Sequence, residues 1–398
     1  MKILNDYIKR GLIAFVLTFC AALMSQAITV TENARFTILT CSPGPDLYSV
    51  FGHTAIRFED LQEGRIVDIV YNYGTFDFQT KNFYAKFATG KLPYMLSKAS
   101  FGMFQSEYLH FGRGIEEQEL ILSQREKQTL FDLLEENFKP ENRTYRYDFF
   151  YDNCSTRVRD IIVKALDNQA TFSYVYPAQI TFRQAIQTYL NYQPWSDFGI
   201  DIALGLPCDR VMEAGQGMFL PDSLLKEFNY GFAGDQPIVH QAAELLPKEF
   251  ELSLDTVFTP LFVLGLFLAL HLIVGLLVLK RRRKTFQLTD RIVFFTVGLI
   301  GLLVVFLWFF TDHQATKWNL NILWANPLVL IFAFSAKSSF SGWKNSFLNG
   351  YLILLILTVI FWFVIPQKLP IPAIPLVLAL IFSLLKLQRP QVFVKKRS

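Results

Sequence analysis

The chain divides into two halves that differ in how hydrophobic and polar residues alternate. Between residues 28 and 255, charged residues, glycines and aromatic residues are interspersed, which is the pattern of a globular domain that folds in water. From residue 256 to residue 388 the sequence is largely Leu, Ile, Val and Phe. We therefore predict a water-exposed domain over 28–255 and a membrane domain over 256–388.

The apolar half contains five candidate membrane spans. A helix needs about 20 apolar residues to cross the hydrocarbon core, and residues 258–279 and 292–311 reach this length without a charged residue. Three weaker candidates follow at 322–336, 347–365 and 371–385, of which the first and last are short and contain proline. We expect the weaker segments to be tilted, packed inside the bundle or partly re-entrant.

The first 27 residues have the pattern of a secretory signal peptide. Basic residues precede an apolar stretch at 12–24, and the small residues Ser25 and Ala27 occupy the positions that signal cleavage requires. An uncleaved membrane anchor is the main alternative. Either reading predicts that the domain over 28–255 lies outside the cytoplasm.

The net charge of +4 reflects two basic clusters, at 280–284 and 395–397. If the domain over 28–255 is outside, five spans place both clusters on the cytoplasmic side, as the positive-inside rule requires. Residues 389–398 then form a basic cytoplasmic tail. The basic clusters thus mark topology, and the charge requires no nucleic-acid partner.

Removal of the signal segment leaves three cysteines, Cys41, Cys154 and Cys208. This is an odd number for an exported domain, so at least one thiol is unpaired. Cys41 and Cys208 could form a disulfide, although the sequence does not place them within bonding distance. Cys154 would then be the free thiol.

The residues around Cys154 predict a helix that begins at this cysteine. Asn153 is a suitable N-cap, and apolar residues follow at helical spacing at positions 158, 161, 162, 165 and 166. A thiol in the first turn lies beside unpaired amide groups, which favour the thiolate and lower the thiol pKa. A cysteine at such a position is more often a small buried residue, so a second observation is needed.

That observation is His53, which opens an alternating run predicted to form a strand. Gly64 offers a hairpin turn, and residues 66–73 return as the next strand. A histidine on a strand and a cysteine at a helix start are the two parts of a papain-like thiol site. The other histidines lack this setting, and no spacing indicates a metal site, so neither a metal nor a cofactor is expected.

These motifs resemble a known family. Gly-His-Thr-Ala-Ile-Arg at 52–57 and Tyr-Asp-Asn-Cys-Ser-Thr-Arg at 151–157 are similar to circularly permuted members of the NlpC-type papain-like superfamily, in which the histidine precedes the cysteine. The motifs at 41–53 and 71–78, with the hydrophobic spans, resemble Lnb, the lipoprotein N-acyltransferase family of Bacteroidota. The implied fold is α+β, a permuted papain-like domain fused to an α-helical membrane bundle of about five spans.

The resemblance implies Cys154 as nucleophile and His53 as base. The implied reaction moves an acyl chain from a membrane phospholipid to the N-terminal amine of a diacylglyceryl-cysteine lipoprotein. The implied location is the bacterial inner membrane, with the catalytic domain in the periplasm. The predicted hairpin brings His53 opposite residues 71–73, so Asn72 is the candidate that orients the imidazole, with Asp68 behind it.

Further candidates for substrate binding are basic, aromatic and polar residues of the motifs and of the outward loop 311–320. They are Arg57, Tyr73, Arg113, Tyr151, Asn153, Arg157 and His313. The arginines could hold a phosphate headgroup or be solvated surface charges. The seven aromatic residues in 71–87 could line an acyl-chain groove, but we expect them to form the core of the domain.

Three other functions fit parts of the pattern. A cell-wall peptidase would use the same cysteine and histidine, but a soluble wall substrate does not require five spans. A phospholipase would pass the acyl group to water. A non-enzymatic scaffold or transporter is disfavoured because the two strong spans carry no charged residue that would line a transport path.

Overall fold

A computed structural model describes most of the chain. The described residues are 29–62, 64–173, 176, 179–249, 257–280, 288–334 and 342–388. The predicted signal peptide and the tail 389–398 lie outside the described residues, as does most of the basic cluster 280–284.

The first half contains a seven-stranded sheet with the strand order β10-β5-β1-β2-β3-β4-β6. Its neighbouring strands pair antiparallel. The strands are β1 (Arg35–Cys41), β2 (His53–Gln62), β3 (Arg65–Thr75), β4 (Pro93–Ser100), β5 (Ile115–Glu119), β6 (Thr144–Arg146) and β10 (Ala243–Leu246). A smaller sheet holds β7 (Ala170–Thr171), β8 (Phe232–Ala233) and β9 (Gln236–Pro237).

Seven helices accompany these strands in the described part of this half. They are α1 (Phe83–Ala88), α2 (Phe101–His110), α3 (Gln124–Phe138), α4 (Cys154–Ala165), α5 (Phe182–Leu190), α6 (Pro194–Ala203) and α7 (Pro221–Asn229). The apolar side chains of α3 and α4 form one core with Ile56, Phe58 and Tyr71 of the sheet. Helix α2 covers the opposite face, where its Phe104 packs with Val70. The sheet is therefore buried on both faces, with α4 held against β2 and β3.

The β2–β3 hairpin forms as predicted. Gly64 lies at its turn with φ +75°, a backbone conformation that glycine adopts without steric cost. The register pairs Arg57 with Val70 and Ile56 with Tyr71. The β3–β4 pairing then shifts between Asn72 and Thr75, so the end of β3 beside the start of β2 is irregular.

Three described helices of the second half are long and apolar enough to cross a membrane. They are α8 (Pro260–Lys280), α9 (Leu288–Phe309) and α11 (Trp343–Ile360), and the shorter apolar helix α12 (Ile374–Gln388) follows. These helices overlap the predicted spans at 258–279, 292–311, 347–365 and 371–385.

The predicted span at 322–336 is not one continuous helix in its described part. Two 3₁₀ turns, Leu320–Leu323 and Pro327–Val329, precede the short helix α10 (Leu330–Phe334). This segment packs closely on α9, because a Cβ atom at Gly301 would collide with the carbonyl oxygen of Ala325. Asn326 accepts a backbone hydrogen bond from Leu328 and so starts the second turn, which interrupts the helical pattern.

Helix α9 begins four residues before the predicted span and so includes Asp290. The carboxylate accepts hydrogen bonds from Ser383 Oγ (2.7 Å) and Lys386 Nζ (2.9 Å). His271 Nε2 lies 3.0 Å from Ser383 Oγ. Asp290 thus lies on the same helix two residues before the predicted span, at the end far from the sheet, where the buried carboxylate is paired.

The sheet half is tied to the turns at one end of the helical bundle. Side-chain amides of Asn319 and Asn321 donate to the carbonyl oxygens of Ile202 (2.8 Å) and Asp201 (3.0 Å) at the end of α6. Beneath them the fully buried guanidinium of Arg183 forms ion pairs with Asp201 and Asp209. These satisfied polar contacts hold the sheet domain on the membrane half in one orientation.

Candidate active site

Cys154 is the first residue of α4, as predicted. The helix starts there because Asn153 forms a capping box with Thr156: Asn153 Oδ1 accepts from Thr156 N at 2.9 Å, and Thr156 Oγ1 accepts from Asn153 N at 2.8 Å. The preceding turn is shaped by Asp148, whose carboxylate accepts from the amides of Phe150 and Tyr151. The thiol is thereby fixed at a helix N-terminus.

His53 is the first residue of β2, and its ring lies beside Asn72 on β3. The distance from His53 Nε2 to Asn72 Oδ1 is 2.6 Å. When the amide oxygen accepts from Nε2, the other ring nitrogen, Nδ1, is available to the Cys154 thiol. The structure therefore brings together Cys154, His53 and Asn72 in the order that a thiol site requires.

Burial and three neighbouring residues determine the pKa of Cys154. Burial raises it, but the charge of His53 and the hydrogen bond with His53 lower it. The backbone N–H of Thr54 and the hydroxyl of Ser155 lower it further, and the resulting pKa is below its usual value of 9.0. The site thus favours the thiolate.

The pKa of His53 moves in the opposite direction. Burial lowers it, but the thiolate charge and hydrogen bond of Cys154 and the hydrogen bond with Asn72 raise it above its usual value. Arg113 opposes this shift through its positive charge. The two changes together favour a thiolate–imidazolium pair.

The other two described cysteines differ from Cys154. Burial raises the pKa of Cys41 and that of Cys208 to about 12. Both are free thiols, and the sulfur of Cys208 donates to the carbonyl oxygen of Ala315. The considered disulfide between Cys41 and Cys208 is therefore absent, since Cys41 lies inside the sheet and Cys208 faces the membrane half.

Gly74 leaves a small space beside the thiol. A Cβ atom at this position would lie 3.6 Å from Cys154 Cβ, 3.7 Å from the Tyr147 ring and 3.9 Å from Tyr145 Oη. Gly74 has φ +87°, which disfavours any larger residue. Tyr145 Oη is buried and has no hydrogen-bond partner in the described structure. An unsatisfied donor therefore lies across this space from Cys154.

Sequence reasoning missed Thr54, Ser155, Tyr145 and Tyr147. Thr54 and Ser155 adjoin the two predicted residues in the chain, and their hydroxyls are 2.9 Å apart, so their proximity follows from that of His53 and Cys154. Tyr145 lies on β6, and no local pattern indicates that this short strand pairs with β4 near the thiol.

Arg57 is not free to bind a phosphate. It donates to both carboxylate oxygens of Asp68 at 2.8 and 2.9 Å and to Glu59 at 2.9 Å, and Glu117 lies 3.8 Å away. Asp68 is therefore the partner of Arg57, and its proposed position behind Asn72 is wrong. The pair joins the two central strands β2 and β3.

Three other candidates have structural roles. Tyr73 is buried in the core, where its hydroxyl accepts from Asn137 at 2.9 Å. The side-chain amide of Asn153 donates twice, to the carbonyl oxygens of Phe149 and Phe219. Arg157 forms a two-fold hydrogen bond with Asp152. These contacts account for all three residues without a role in substrate binding.

Arg113, Tyr151 and His313 remain candidates for substrate contact. Arg113 donates to the carbonyl oxygen of Ser42, and its buried Nη2 has no partner within the described residues. Tyr151 is half exposed three residues before the thiol. The ring of His313 lies against Gly90, so the loop 311–320 contacts the sheet domain.

A thiol and a histidine on an α+β domain, joined to apolar helices, define a membrane protein with a cysteine–histidine site. Comparison with known families identifies the two parts: residues 25–188 match the Lnb N-terminal periplasmic domain, and residues 252–388 match the Lnb transmembrane domain. The chain therefore belongs to the Lnb family, and its sheet domain is periplasmic. Searches of the curated proteins and of the solved structures gave no match.

Proposed function

We propose that this protein transfers an acyl chain from a membrane phospholipid, through a thioester on Cys154, to the N-terminal amine of a diacylglyceryl-cysteine lipoprotein. The observation that carries the proposal is the thiol of lowered pKa beside His53, in a domain tied to membrane helices. Membership of the Lnb family supports an acyltransferase. The thiol chemistry rests on the geometry of the site.

In the first step His53 Nδ1 takes the proton of the thiol, and the thiolate attacks the ester carbonyl carbon of the phospholipid. The C–S bond forms while the carbonyl oxygen becomes an oxyanion. Collapse of this intermediate breaks the ester C–O bond, and the leaving lysophospholipid oxygen takes the proton from His53. The products are a thioester on Cys154 and a lysophospholipid.

The oxyanion has two sources of stabilisation at the site. The first-turn N–H groups of α4 have no acceptors within the helix and carry the positive end of its dipole. The buried Tyr145 hydroxyl, which has no other partner in the described structure, borders the same space. We assign this hydroxyl as a donor to the oxyanion.

In the second step the lipoprotein amine attacks the thioester carbon. His53 accepts a proton from the amine nitrogen, the C–N bond forms, and the C–S bond breaks to release the thiolate. Nothing else is consumed, because an amide replaces a thioester. A thiolate leaves readily, so the thioester can be discharged by an amine without a further cofactor.

The proposal includes a five-span topology in the inner membrane. Asn321 donates to Asp201 of the sheet domain at 3.0 Å, whereas Arg291, near the far end of α9, donates to Ala333 at 2.8 Å. The interrupted segment 320–334 thus reaches from one end of α9 to the other, which supports a crossing. With α8, α9, α11 and α12 it makes five.

The order of the site residues supports a permuted papain-like domain. His53 and Asn72 lie on strands β2 and β3, before the helix that begins at Cys154. The helix packs against those strands, so the thiol and the imidazole face each other across one end of the sheet. This interpretation requires the histidine, and not the cysteine, to come first in the chain.

Intact-protein mass measurement tests the reaction in two stages. Incubation with phospholipid alone should give a protein heavier by one acyl chain, and addition of a diacylated lipopeptide should discharge it into an amide. Cys154→Ser should give no adduct, with activity lower by at least about four orders of magnitude. Steady release of fatty acid without amide would support a phospholipase, and cleavage of wall peptides without an adduct would support a peptidase.

A further inference from the structure

The aromatic residues of 71–87 fall into two groups. Tyr71 and Tyr73 are buried in the core, as expected. Phe78, Tyr84 and Phe87 are exposed by 72%, 84% and 54%. The expectation that this stretch forms the core is therefore wrong for residues 76–87, because they leave the sheet between the end of β3 and the start of β4. Rings exposed to this degree and so close together mark an interaction surface.

This exposed segment lies at the outward end of the membrane helices. The backbone N–H of Asp312, three residues after α9, donates to the carbonyl oxygen of Thr89 at 2.9 Å. Arg146 also pairs with Asp312 at 3.1 Å. Helix α1, which ends one residue before Thr89, therefore adjoins the point where α9 leaves the hydrocarbon.

The end of α9 carries its own aromatic residues. Phe309, Phe310 and Trp318 are exposed by 66%, 65% and 64%, and Trp308 packs against Trp318 with a centroid distance of 5.5 Å. Such rings are typical of the membrane–water interface. The exposed rings of residues 76–87 extend this belt, and Lys81 and Lys86 in the same segment suit anionic headgroups.

The same segment connects to the thiol through packed rings. Phe83 lies 5.7 Å from Phe76, Phe76 lies 5.3 Å from Tyr94, and Tyr94 stacks on Tyr147 at 4.4 Å. Tyr147 borders the space beside Cys154. We call Phe83, Phe76, Tyr94 and Tyr147 the aromatic track.

The inner part of the aromatic track, Tyr94 and Tyr147, is partly buried. Burial raises the pKa of Tyr94 to about 12, and burial raises that of Tyr147 well above its usual value. A surface of aromatic rings that continues from the lipid interface to the thiol suits a hydrocarbon chain, which packs against the ring faces.

We infer that residues 76–87 dip into the outer leaflet of the inner membrane and that the aromatic track binds the acyl chain of the donor phospholipid. This inference rests on the proposed function for the identity of the donor. The phospholipid would place its chain along the rings and its ester carbonyl beside Cys154. The lysines of the segment would then lie at the level of the headgroups.

Photocrosslinking to lipid tests membrane contact independently of catalysis. A benzophenone amino acid is placed at Tyr84 or Phe87 in the full chain carrying Cys154→Ala, reconstituted in vesicles of phosphatidylethanolamine and phosphatidylglycerol. We expect phospholipid adducts at both positions. The matched control is Ile66, which is 80% exposed at the opposite end of the β2–β3 hairpin. Adducts no more frequent at 84 and 87 than at 66 would overturn the inference.

A competition arm identifies the occupant. Diacylated lipopeptide added to the same vesicles should not replace phospholipid in the adducts, and preferential labelling of the lipopeptide would overturn the donor assignment. Because the Cys154→Ala protein forms no thioester, these results stand even if the acyl-transfer reaction is not observed. Conversely, a normal thioester with no lipid adduct would remove this inference and leave the proposed function intact.

A kinetic variant tests the aromatic track itself. Tyr94→Ser removes the ring that links Phe76 to Tyr147, and we expect the rate ratio of thioester formation from a long-chain phospholipid to that from a butyryl ester to fall by about ten-fold. Met103→Ser, which alters a residue 71% exposed on α2, should leave the ratio unchanged. An unchanged ratio in Tyr94→Ser would overturn the track as the chain-binding surface.

Discussion

The two halves of the molecule each hold a histidine in a polar cluster, and the clusters differ in what the histidine contacts. His53 lies between Asn72 and a thiol of lowered pKa. His271 lies beside Ser383, whose hydroxyl donates to Asp290. In the first cluster the last group is the proposed nucleophile, whereas in the second it is a carboxylate that is already paired with Lys386.

This difference separates a site for chemistry from a structural contact. The serine proton of the membrane cluster is directed to a carboxylate, so His271 cannot draw it away to make a nucleophile. The cluster joins α8, α9 and α12 and satisfies the polar groups that the hydrocarbon would otherwise leave unpaired. A buried histidine beside a hydroxyl is thus insufficient evidence of catalysis, and the direction of each hydrogen bond decides its role.

The largest effect on this comparison should come from His53→Ala. Loss of the general base should slow thioester formation by about two to four orders of magnitude. Alkylation of Cys154 by iodoacetamide should also shift to higher pH. In the wild type His53 lowers the thiol pKa below 9.0, whereas in the variant burial, which raises the pKa, would dominate. Protein mass measured after alkylation for fixed times at each pH gives the pH dependence of alkylation. Protein mass measured during incubation with phospholipid gives the rate of thioester formation.

Exposed His110 provides the matched control for this change. His110→Ala should leave the alkylation profile and the rate of thioester formation unchanged. If His53→Ala alkylates with the wild-type pH dependence, His53 is a structural strand residue and the contrast with His271 disappears.

Tyr145→Phe should have the next largest effect. The hydroxyl beside the Cys154 site has no partner among the described residues, in contrast to the Ser383 hydroxyl of the membrane cluster, which donates to Asp290. The Tyr145 hydroxyl is buried without a partner in the described structure, so its removal should not lower the free energy of unfolding. Loss of an oxyanion donor should nevertheless lower the transfer rate by about 10²- to 10³-fold. Thermal unfolding in detergent and acyl-transfer rates are compared with Tyr230→Phe, an exposed control. A parallel loss of stability and activity would contradict the oxyanion role.

The sequence was sufficient where a local pattern determines the structure. Asn153 and the apolar spacing after it define the helix that begins at Cys154, and Gly64 defines the hairpin that carries His53 and Asn72. Asn72 was identified because a hairpin register converts a sequence offset into a spatial neighbour.

The sequence was insufficient where distant segments meet. Arg57 is neutralised partly by Glu117 of β5, which no pattern near Arg57 indicates. Tyr145 reaches the site only because β6 pairs with β4 at the edge of the sheet. The segment 320–334 is apolar enough to suggest a helix, but its packing on Gly301 of α9 requires turns. In each case a long-range contact outweighs the local propensity.

Asn72→Ala should have a smaller effect on transfer than Tyr145→Phe. The imidazole would lose the acceptor that orients it at 2.6 Å but would keep its position on β2. We expect a loss of up to about 100-fold in the transfer rate, the cost of a misplaced catalytic group. Asn72→Asp should recover part of the rate because a carboxylate also accepts from Nε2. Asn142→Ala, an exposed control, should have no effect. A wild-type rate in Asn72→Ala would show that the position of His53 on β2 is sufficient to orient its ring.

Ser383→Ala should have the smallest effect, and it should appear only in stability. The change removes the hydroxyl that lies between His271 and Asp290, but Lys386 remains 2.9 Å from the carboxylate. Polar contacts between membrane helices contribute about 0.6 to 1.7 kcal/mol, so the free energy of unfolding in detergent should fall by an amount in this range.

The pH profile of Cys154 alkylation and the rate of acyl transfer should match the wild type, because this cluster lies at the end of the bundle far from the sheet domain. A loss of transfer in Ser383→Ala without a loss of stability would show that the membrane histidine takes part in the reaction, and the distinction between the two clusters would then be wrong.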